Sequence, residues 1–423
     1  MAIAYEDQIK WKKWASYLLA DVVALTHNDF GDVDIFLAPV IKENDYEHVY
    51  GAEPIQLYSR VGGVLGQYVI NADRAQPLAD IRTVNWKPTF LHQIVQASEP
   101  LPMKDGMFVQ FSMSIYDIED LLQQIVRDYY IQREEWKYFR YRFSIHYSLL
   151  GGMKGLTVNI RRVGGKNRYI TVQDEAENRT LNMISDGGLI LVGGQYGHGK
   201  TTFVYHVLSK WMEKRKARSF IITLEDPVEG ILPPPAKQIE VNPSMWEEYL
   251  KAVMREKPDV VFIGEILTPK MAEVMMQYAS TGMSVIATIH ASSTPYIFTR
   301  LKSLLRSAGD PSPELTIATA IKGTIYVELK ARSGGRALQL YEVVDWKKAY
   351  PNINAFAEFI RQNALESAFF ANLLDEGNLN KEAIYPLYTS ALMHGLDDYG
   401  KKIINRMKKI VGLYSEDKGG KGL

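Results

Sequence analysis

The sequence predicts an α/β protein: a parallel-sheet domain built around a phosphate loop, preceded by an α+β region and followed by a small helical one. Three observations predict it. Residues 186–346 alternate short apolar runs with helix-like stretches, which is the pattern of strand-helix-strand units. One glycine-rich segment, Gly194 to Thr201, stands between an apolar run and an amphipathic stretch. A chain of 423 residues, 46% hydrophobic and 23% charged, has apolar material for two or three domains.

Composition also excludes. Lys plus Arg and Asp plus Glu both number 49, so no overall basic field advertises nucleic acid or an anionic membrane. The absence of cysteine excludes a disulfide framework, a thiol nucleophile and a Cys-ligated metal, and it fits a reducing cytosol. The first residues carry no apolar signal core behind a charged flank. The longest apolar runs, 189–192 and 260–263, fall far short of the roughly 18 to 20 residues that span a bilayer, so any membrane association is expected to be peripheral. The basic, aromatic cluster at Lys10, Trp11, Lys12, Lys13 and Trp14 is suited to a membrane surface, but Trp14, Leu18 and Val22 recur at helical spacing, which favours packing in a core.

Glycine and proline punctuation near 164–165, 185–188, 233–235 and 333–335 separates three regions, drawn at 1–180, 186–346 and 350–423. In the first, Ser114 and Asp117 form a capping-box pattern ahead of Ile118, Leu121, Leu122 and Ile125, which predicts a helix over about 115–130. A strict alternation comes next: Tyr141, Phe143, Ile145 and Tyr147 point one way, Arg140, Arg142, Ser144 and His146 the other. Gly151, Gly152 and Gly155 predict a turn, and Leu156, Val158 and Ile160 a second strand whose polar face carries Arg161. Pairing of the two strands brings Arg140, Arg142 and Arg161 onto one face, read from periodicity alone as a solvated surface. In the third region Phe356, Phe359 and Ile360, and then Ile403, Met407, Ile410 and Val411, mark helices, while the charged, glycine-rich residues 415–423 predict a disordered tail.

The sharpest signal is Gly194-Gln195-Tyr196-Gly197-His198-Gly199-Lys200-Thr201, a full match to Gly, four residues, Gly, Lys and Ser or Thr. A buried strand at 189–192 enters it, and a helix over 202–214 with Phe203, Val207, Leu208 and Trp211 leaves it. Backbone amides curl round phosphate oxygens at a helix N-terminus whose dipole favours negative charge. Lys200 is expected on the β and γ phosphates of ATP, and the Thr201 hydroxyl on Mg2+. Tyr196 and His198, bulky for such a loop, are expected to point to solvent.

Three further apolar runs finish in polar side chains: 220–224 in Glu225 and Asp226, 260–263 in Gly264 and Glu265, 284–289 in His290. Ligands of an open parallel sheet sit beyond the carboxyl ends of its strands, so these groups should share one crevice with the loop. Asp259 opens its strand and lies at the far edge. Glu265 closes the same strand, which makes it the Walker B-type acid that holds the magnesium shell or activates water. Glu229 is its rival as base and Glu225 a further metal candidate, although Glu225, Asp226 and Glu229 also suit capping of the turn at Pro227. His290 is placed to sense the γ phosphate.

These residues resemble the secretion ATPase superfamily, the traffic ATPases of type II secretion, type IV pili and type IV secretion or conjugation. Gly194 to Thr202 looks like its Walker A loop, Leu224-Glu225-Asp226-Pro227-Val228-Glu229 like its Asp box, Pro258-Asp259-Val260 through Gly264-Glu265-Ile266 like its Walker B segment, and Thr281-Gly282 with Thr288-Ile289-His290 like its His box. The resemblance implies a RecA-like motor domain behind an N-terminal domain with a PAS-like part at about 100–175. It implies arginines, here Arg140, Arg142 and Arg161, that reach the phosphates, and a homo-hexamer docked on platform proteins at the cytoplasmic face of a bacterial inner membrane. Leu267 and Thr268 stand where the family usually has Arg-Asp, and Met283 where the first histidine of the His box is common.

The reading is an ATP-hydrolysing oligomeric motor for pilus or secretion work, with no direct contact to nucleic acid. A RecA-like nucleic-acid motor, which DNA would stimulate, and a nucleotide-binding structural subunit without turnover are the alternatives.

Overall fold

The computed structural model describes residues 5–26, 32–37, 39–42, 45–50, 55–61, 64–71, 74–78, 108–125, 136, 139–150, 153–164, 172–215, 219–242, 245–331, 337–362, 365–375 and 380–419. The chain forms two compact units, Met1–Lys166 with Glu229–Ile231, and Asn167–Val228 with Leu232–Leu423.

In the first unit the strands are β1 (Asp32–Leu37), β2 (Pro39–Lys42), β3 (Asp45–Tyr50), β4 (Ile55–Val61), β5 (Val64–Asn71), β6 (Arg74–Leu78), β7 (Phe108–Ser114), β8 (Phe139–Leu150) and β9 (Met153–Gly164). Seven of them make an antiparallel sheet in the order β6-β5-β4-β1-β9-β8-β7, and β2 pairs with β3. Alternation along β8 works as predicted: Tyr141, Phe143 and Ile145 are fully buried, and the residues between them are half-exposed. The capping box forms, with the backbone N–H and hydroxyl of Ser114 both donating to Asp117. It opens a 3-10 turn, Ile115–Ile118, which leads into an α-helix, Glu119–Ile125; residues 126–130 of the predicted helix lie outside the described residues. Gly155, predicted as a turn residue, lies inside β9, and Gly151 and Gly152 lie outside the described residues. The helix Tyr5–Thr26 buries Trp11, Leu18 and Val22 and packs on the 115–125 segment; the side chain of Trp14 lies outside the described residues.

The second unit holds β10 (Gly188–Gly194), β11 (Ile221–Glu225), β12 (Lys237–Glu240), β13 (Val260–Ile263), β14 (Ser284–His290), β15 (Ile321–Ala331), β16 (Ala337–Asp345) and β17 (Ile384–Tyr385). Their order is β12-β11-β13-β14-β10-β15-β16-β17, parallel through β15 and antiparallel in the last two. Apolar strands that do not alternate with polar residues are covered on both faces, and these are. Leu189, Leu191, Val261, Ile263, Val285 and Ala287 face one core, which they share with the helices Trp246–Arg255, Pro269–Ser280 and Thr294–Ser307. Ile190, Val192, Val260, Phe262 and Ile286 face the other, which they share with the helices Asp174–Asp186 and Lys200–Arg215. Each fully buried side chain of this size stabilises the fold by about 1.5–3 kcal/mol.

The carboxyl-terminal helices Ile353–Arg361 and Leu365–Leu374 join the first of these cores through Phe356, Phe359 and Phe369, grouped around Trp346. The last helix runs Asp397–Gly419, so residues 415–419, predicted as a disordered tail, are helical. Composition misled there because Glu416 and Lys418, read as solvated charge, are also good helix formers once a helix is already running.

Candidate active site

Because β11, β13, β14 and β10 are neighbours and parallel, their carboxyl ends share one edge. Register places Gly194 level with His290, and Ile263 level with both Leu224 and Ala287. Glu225, Glu265, His290 and the phosphate loop therefore line that edge, as the apolar runs ending in polar residues predict.

The loop turns through Gly197 and Gly199, both at positive φ (75° and 79°), a region that L side chains rarely adopt. At Gly194 a Cβ would lie 2.6 Å from the Val327 carbonyl oxygen, so only glycine fits where β10 hands over to the loop. The helix Lys200–Arg215 starts on the lysine itself, aiming its unpaired N-terminal amides into the turn. Lys200 is only 7% exposed. Its Nζ donates to the carbonyls of Gly194 (3.2 Å) and Gln195 (3.1 Å) and lies 3.2 Å from His290 Nδ1.

An ammonium can only donate, so His290 Nδ1 is the acceptor and the ring proton sits on Nε2. Nε2 lies 3.1 Å from Glu265 Oε1, giving a chain Lys200, His290, Glu265. Burial first, and then the Lys200 charge, hold the His290 pKa below the ordinary histidine value, which keeps the ring neutral at neutral pH. Glu265 Oε1 has no aligned hydrogen-bond donor, although it is shielded from solvent. The backbone around Glu265 is fixed on both sides: the Thr288 hydroxyl donates to the Gly264 carbonyl, and Ile266 N donates to Thr288 O at 3.0 Å. A carboxylate on a rigid support, with a neutral imidazole 3.1 Å away that is not aligned to consume its oxygen, is equipped to take a proton or orient water.

Glu225 is placed differently. It is 1% exposed, and the Tyr205 hydroxyl lies 2.9 and 2.8 Å from its two oxygens, while Gln238 Nε2 donates to that hydroxyl at 2.9 Å. Asp259 lies at the opposite edge, where its Oδ2 accepts from Phe220 N at 2.7 Å. Tyr196 is 66% exposed as predicted, and its ring stacks on His290 with centroids 6.0 Å apart. His198 departs from the prediction: it is half-buried and bonded to the Val327 backbone, and burial lowers its pKa. The cause is β15, which pairs with β10 and carries Val327 alongside the loop, so that the ring meets backbone instead of open solvent. Thr201 and Thr202 occupy the first helical turn and are half-buried.

In the first unit Arg142 and Arg161 are direct cross-strand partners, and Arg140 stands opposite Val163 two residues along the same face. Glu229 groups with that unit. Sequence reading missed Gln339 and Tyr341 of β16. Both are fully buried, and Gln339 Nε2 donates to the carbonyls of His198 and Gly199, each at 3.0 Å.

The loop fits a polyphosphate: glycines where a Cβ would collide, amides at a helix start and a buried lysine. No group of three or more His, Asp or Glu suited to a metal ion occurs among the described residues. One hydroxyl at Thr201 and one carboxylate at Glu265 suit a magnesium ion that arrives mainly bound to phosphates.

Residues 142–331 match the family model described as type II/IV secretion system protein. The competence protein ComGA of Halalkalibacterium halodurans is 38% identical over 133 residues, which is 31% of this chain and 37% of that protein. Type II secretion system protein E of Dickeya dadantii is 37% identical over 120 residues (28% and 23%), and the type IV pilus assembly ATPase TfpB of Acinetobacter baylyi 34% over 137 residues (32% and 22%). The chain thus spans well under half the length of these relatives. Among solved structures, the Legionella pneumophila ATPase DotB superposes with a TM-score of 0.57 at 16% identity, covering 92% of this chain and 94% of that one. The pilus retraction motor PilT with bound ADP gives 0.50 at 18% identity, covering 88% and 95%. These two likenesses establish a shared RecA-like fold. With the four motifs in their order inside it, the segment 142–331 matches the type II/IV secretion system protein model and is similar to the secretion ATPase superfamily.

Proposed function

We propose that the protein is an ATP-hydrolysing motor that works as a ring, a homo-hexamer by family resemblance, and powers pilus or secretion machinery from the cytoplasmic face of a bacterial inner membrane. The observation that carries the reading is the Lys200–His290–Glu265 chain at the carboxyl edge of the sheet. Water attacks the γ phosphorus of ATP, the bond from that phosphorus to the β–γ bridging oxygen breaks, and ADP and phosphate leave. Lys200 and the loop amides hold the phosphates, and Thr201 and Glu265 would hold Mg2+ or its water shell. Glu265 orients or deprotonates the attacking water, with Glu229 as rival base. Glu225, committed to Tyr205, fits the support of a strand end better than a grip on metal. His290 reports on the γ phosphate through the lysine it touches. Arg140, Arg142 and Arg161 neutralise developing charge across a subunit boundary, which gives a closed ring a chemical purpose. Inner-membrane platform proteins are the proposed partners, and nucleic acid is not among them.

The test is phosphate release from ATP and Mg2+ across a range of protein concentrations, with Lys200→Ala as control. Specific activity that rises with concentration and vanishes in Lys200→Ala supports shared sites in a ring. Lys200-dependent activity that stays flat across a measured assembly transition sinks the shared site and favours a self-contained NTPase.

A further inference from the structure

We infer that Gln339, locked by Tyr341, is a positioning residue for the phosphate loop. This rests on the nucleotide reading above. A loop that turns its amides inward to phosphate must turn its carbonyls outward, and each outward carbonyl needs a donor. Gly199 O has one from its own helix, the N–H of Phe203 at 2.9 Å. Gln339 supplies another: the two hydrogens of its amide nitrogen go one to His198 O and one to Gly199 O.

The amide has two orientations, and only one serves the loop. Turned over, its oxygen would face both carbonyls. The Tyr341 hydroxyl donates to Gln339 Oε1 at 2.5 Å and so selects the useful orientation. Burial raises the Tyr341 pKa well above the ordinary phenol value, so the hydroxyl keeps its proton and remains a donor. The Tyr341 ring packs against Phe203 on the first turn of the loop's own helix, with centroids 5.0 Å apart. One strand, β16, thus holds the loop's backbone through Gln339 and the start of its helix through Tyr341. Neither residue belongs to the four motifs.

Pinned carbonyls preorganise the amides for any nucleotide that carries a β phosphate, so the contribution is equal for substrate and product and belongs to binding rather than to the chemical step. The experiment titrates full-length protein with mant-ATP and mant-ADP in Mg2+, and measures kcat and melting temperature on the same samples. Gln339→Met keeps the volume and removes the donor. It is expected to weaken both nucleotides alike, about tenfold, with kcat at saturation nearly unchanged. Tyr341→Phe deletes one oxygen and is expected to weaken both by about threefold; it keeps the test available if Gln339→Met does not fold. Nucleotide affinities within about twofold of wild type in Tyr341→Phe and in folded Gln339→Met, even with a lowered melting temperature, would overturn the inference and leave Gln339 as core filling. The two readings fail separately. Lys200→Ala that binds as tightly as wild type removes the phosphate site and the inference with it, whereas loss of binding in Lys200→Ala beside normal binding in the β16 variants removes the inference alone.

Discussion

The two edges of the eight-stranded sheet carry the same kinds of charged side chain and use them in opposite ways. At the amino edge, charge is satisfied. Asp259 accepts from Phe220 N, and Lys322, its side chain 8% exposed, bridges Asp186 at 2.9 Å and Asp345 at 3.1 Å. At the carboxyl edge, charge is left poised. Glu265 Oε1 has no aligned donor, and the Lys200 ammonium donates to two backbone carbonyls and lies against an imidazole. Hydrogen-bonding capacity that the fold does not consume is available to a ligand, and it costs stability to keep. Edge and satisfaction together separate charge that the fold consumes from charge that it leaves available in this sheet.

The largest expected effect is at the poised edge. Glu265→Gln keeps the shape and removes the basic oxygen, so kcat should fall about 10^2- to 10^4-fold while mant-ATP binding and thermal unfolding stay near wild type. A variant that turns over normally but melts early would put Glu265 with the structural charges and erase the contrast.

Lys322→Met probes the satisfied edge. Removing the cation leaves the shielded Asp345 carboxylate with the Lys348 N–H but no countercharge at its other oxygen, and breaking a buried pair from one side costs about 3 kcal/mol. Urea unfolding should show that loss, and kcat per folded molecule should not change. A specific loss of turnover would mean that charge at the amino edge reaches the site.

The contrast also explains what the sequence made legible. Strand ends could be read because each is local: an apolar run of four to six residues stops at Glu225, Glu265 or His290, and parallel topology then puts the three stops together. The same logic placed Asp259 at the far edge. Gln339 and Tyr341 could not be read that way. Gln339 lies 140 residues from Gly199, and it reaches the loop only because β16 pairs with β15 in one register. A buried Gln between apolar neighbours was the available signal, and it names no partner. Tyr205, which holds Glu225, was hidden for a related reason, since a tyrosine on an amphipathic helix reads as core until the strand beside it is known. The half-buried ring of His198 and the helical residues 415–419 were missed because composition describes a residue's preference and not its neighbours.

Glu342 separates edge from satisfaction. It lies opposite Tyr326, which is level with Gly193, so it stands near the carboxyl edge, yet it is 5% exposed and accepts from the Thr294 hydroxyl at 2.6 Å and from the Leu387 backbone. Burial raises its pKa from 4.5 to about 7, with Glu328 pushing the same way. Tyr326, Tyr399, Lys402 and Arg406 line the cavity beside it. Between those two values the folded state holds a proton that the unfolded chain has released, so stability falls as pH rises through that window, and the full penalty is present above it. Glu342→Gln removes the titration, and its stability relative to wild type should improve by about 2 kcal/mol between pH 5 and pH 7.5. A flat difference across that range would show that the site charges freely and that satisfaction is not what distinguishes it.

The smallest effect is the sharpest control. Asp259 and Glu265 belong to the same short segment, one at each end of β13, and both are carboxylates. Asp259→Asn keeps an oxygen that can accept from Phe220 N and loses only the charge assistance, so unfolding should cost about 1 kcal/mol or less and kcat should stay at the wild-type value. The backbone bond from Asp259 N to Phe220 O at 2.9 Å survives either way and keeps the strands in register. Measured beside Glu265→Gln, the two isosteric changes ask one question of one strand: does removing charge move stability or turnover? A tenfold loss of kcat in Asp259→Asn without loss of stability would mean that the strand transmits its charge end to end, and position at an edge would no longer sort one role from the other.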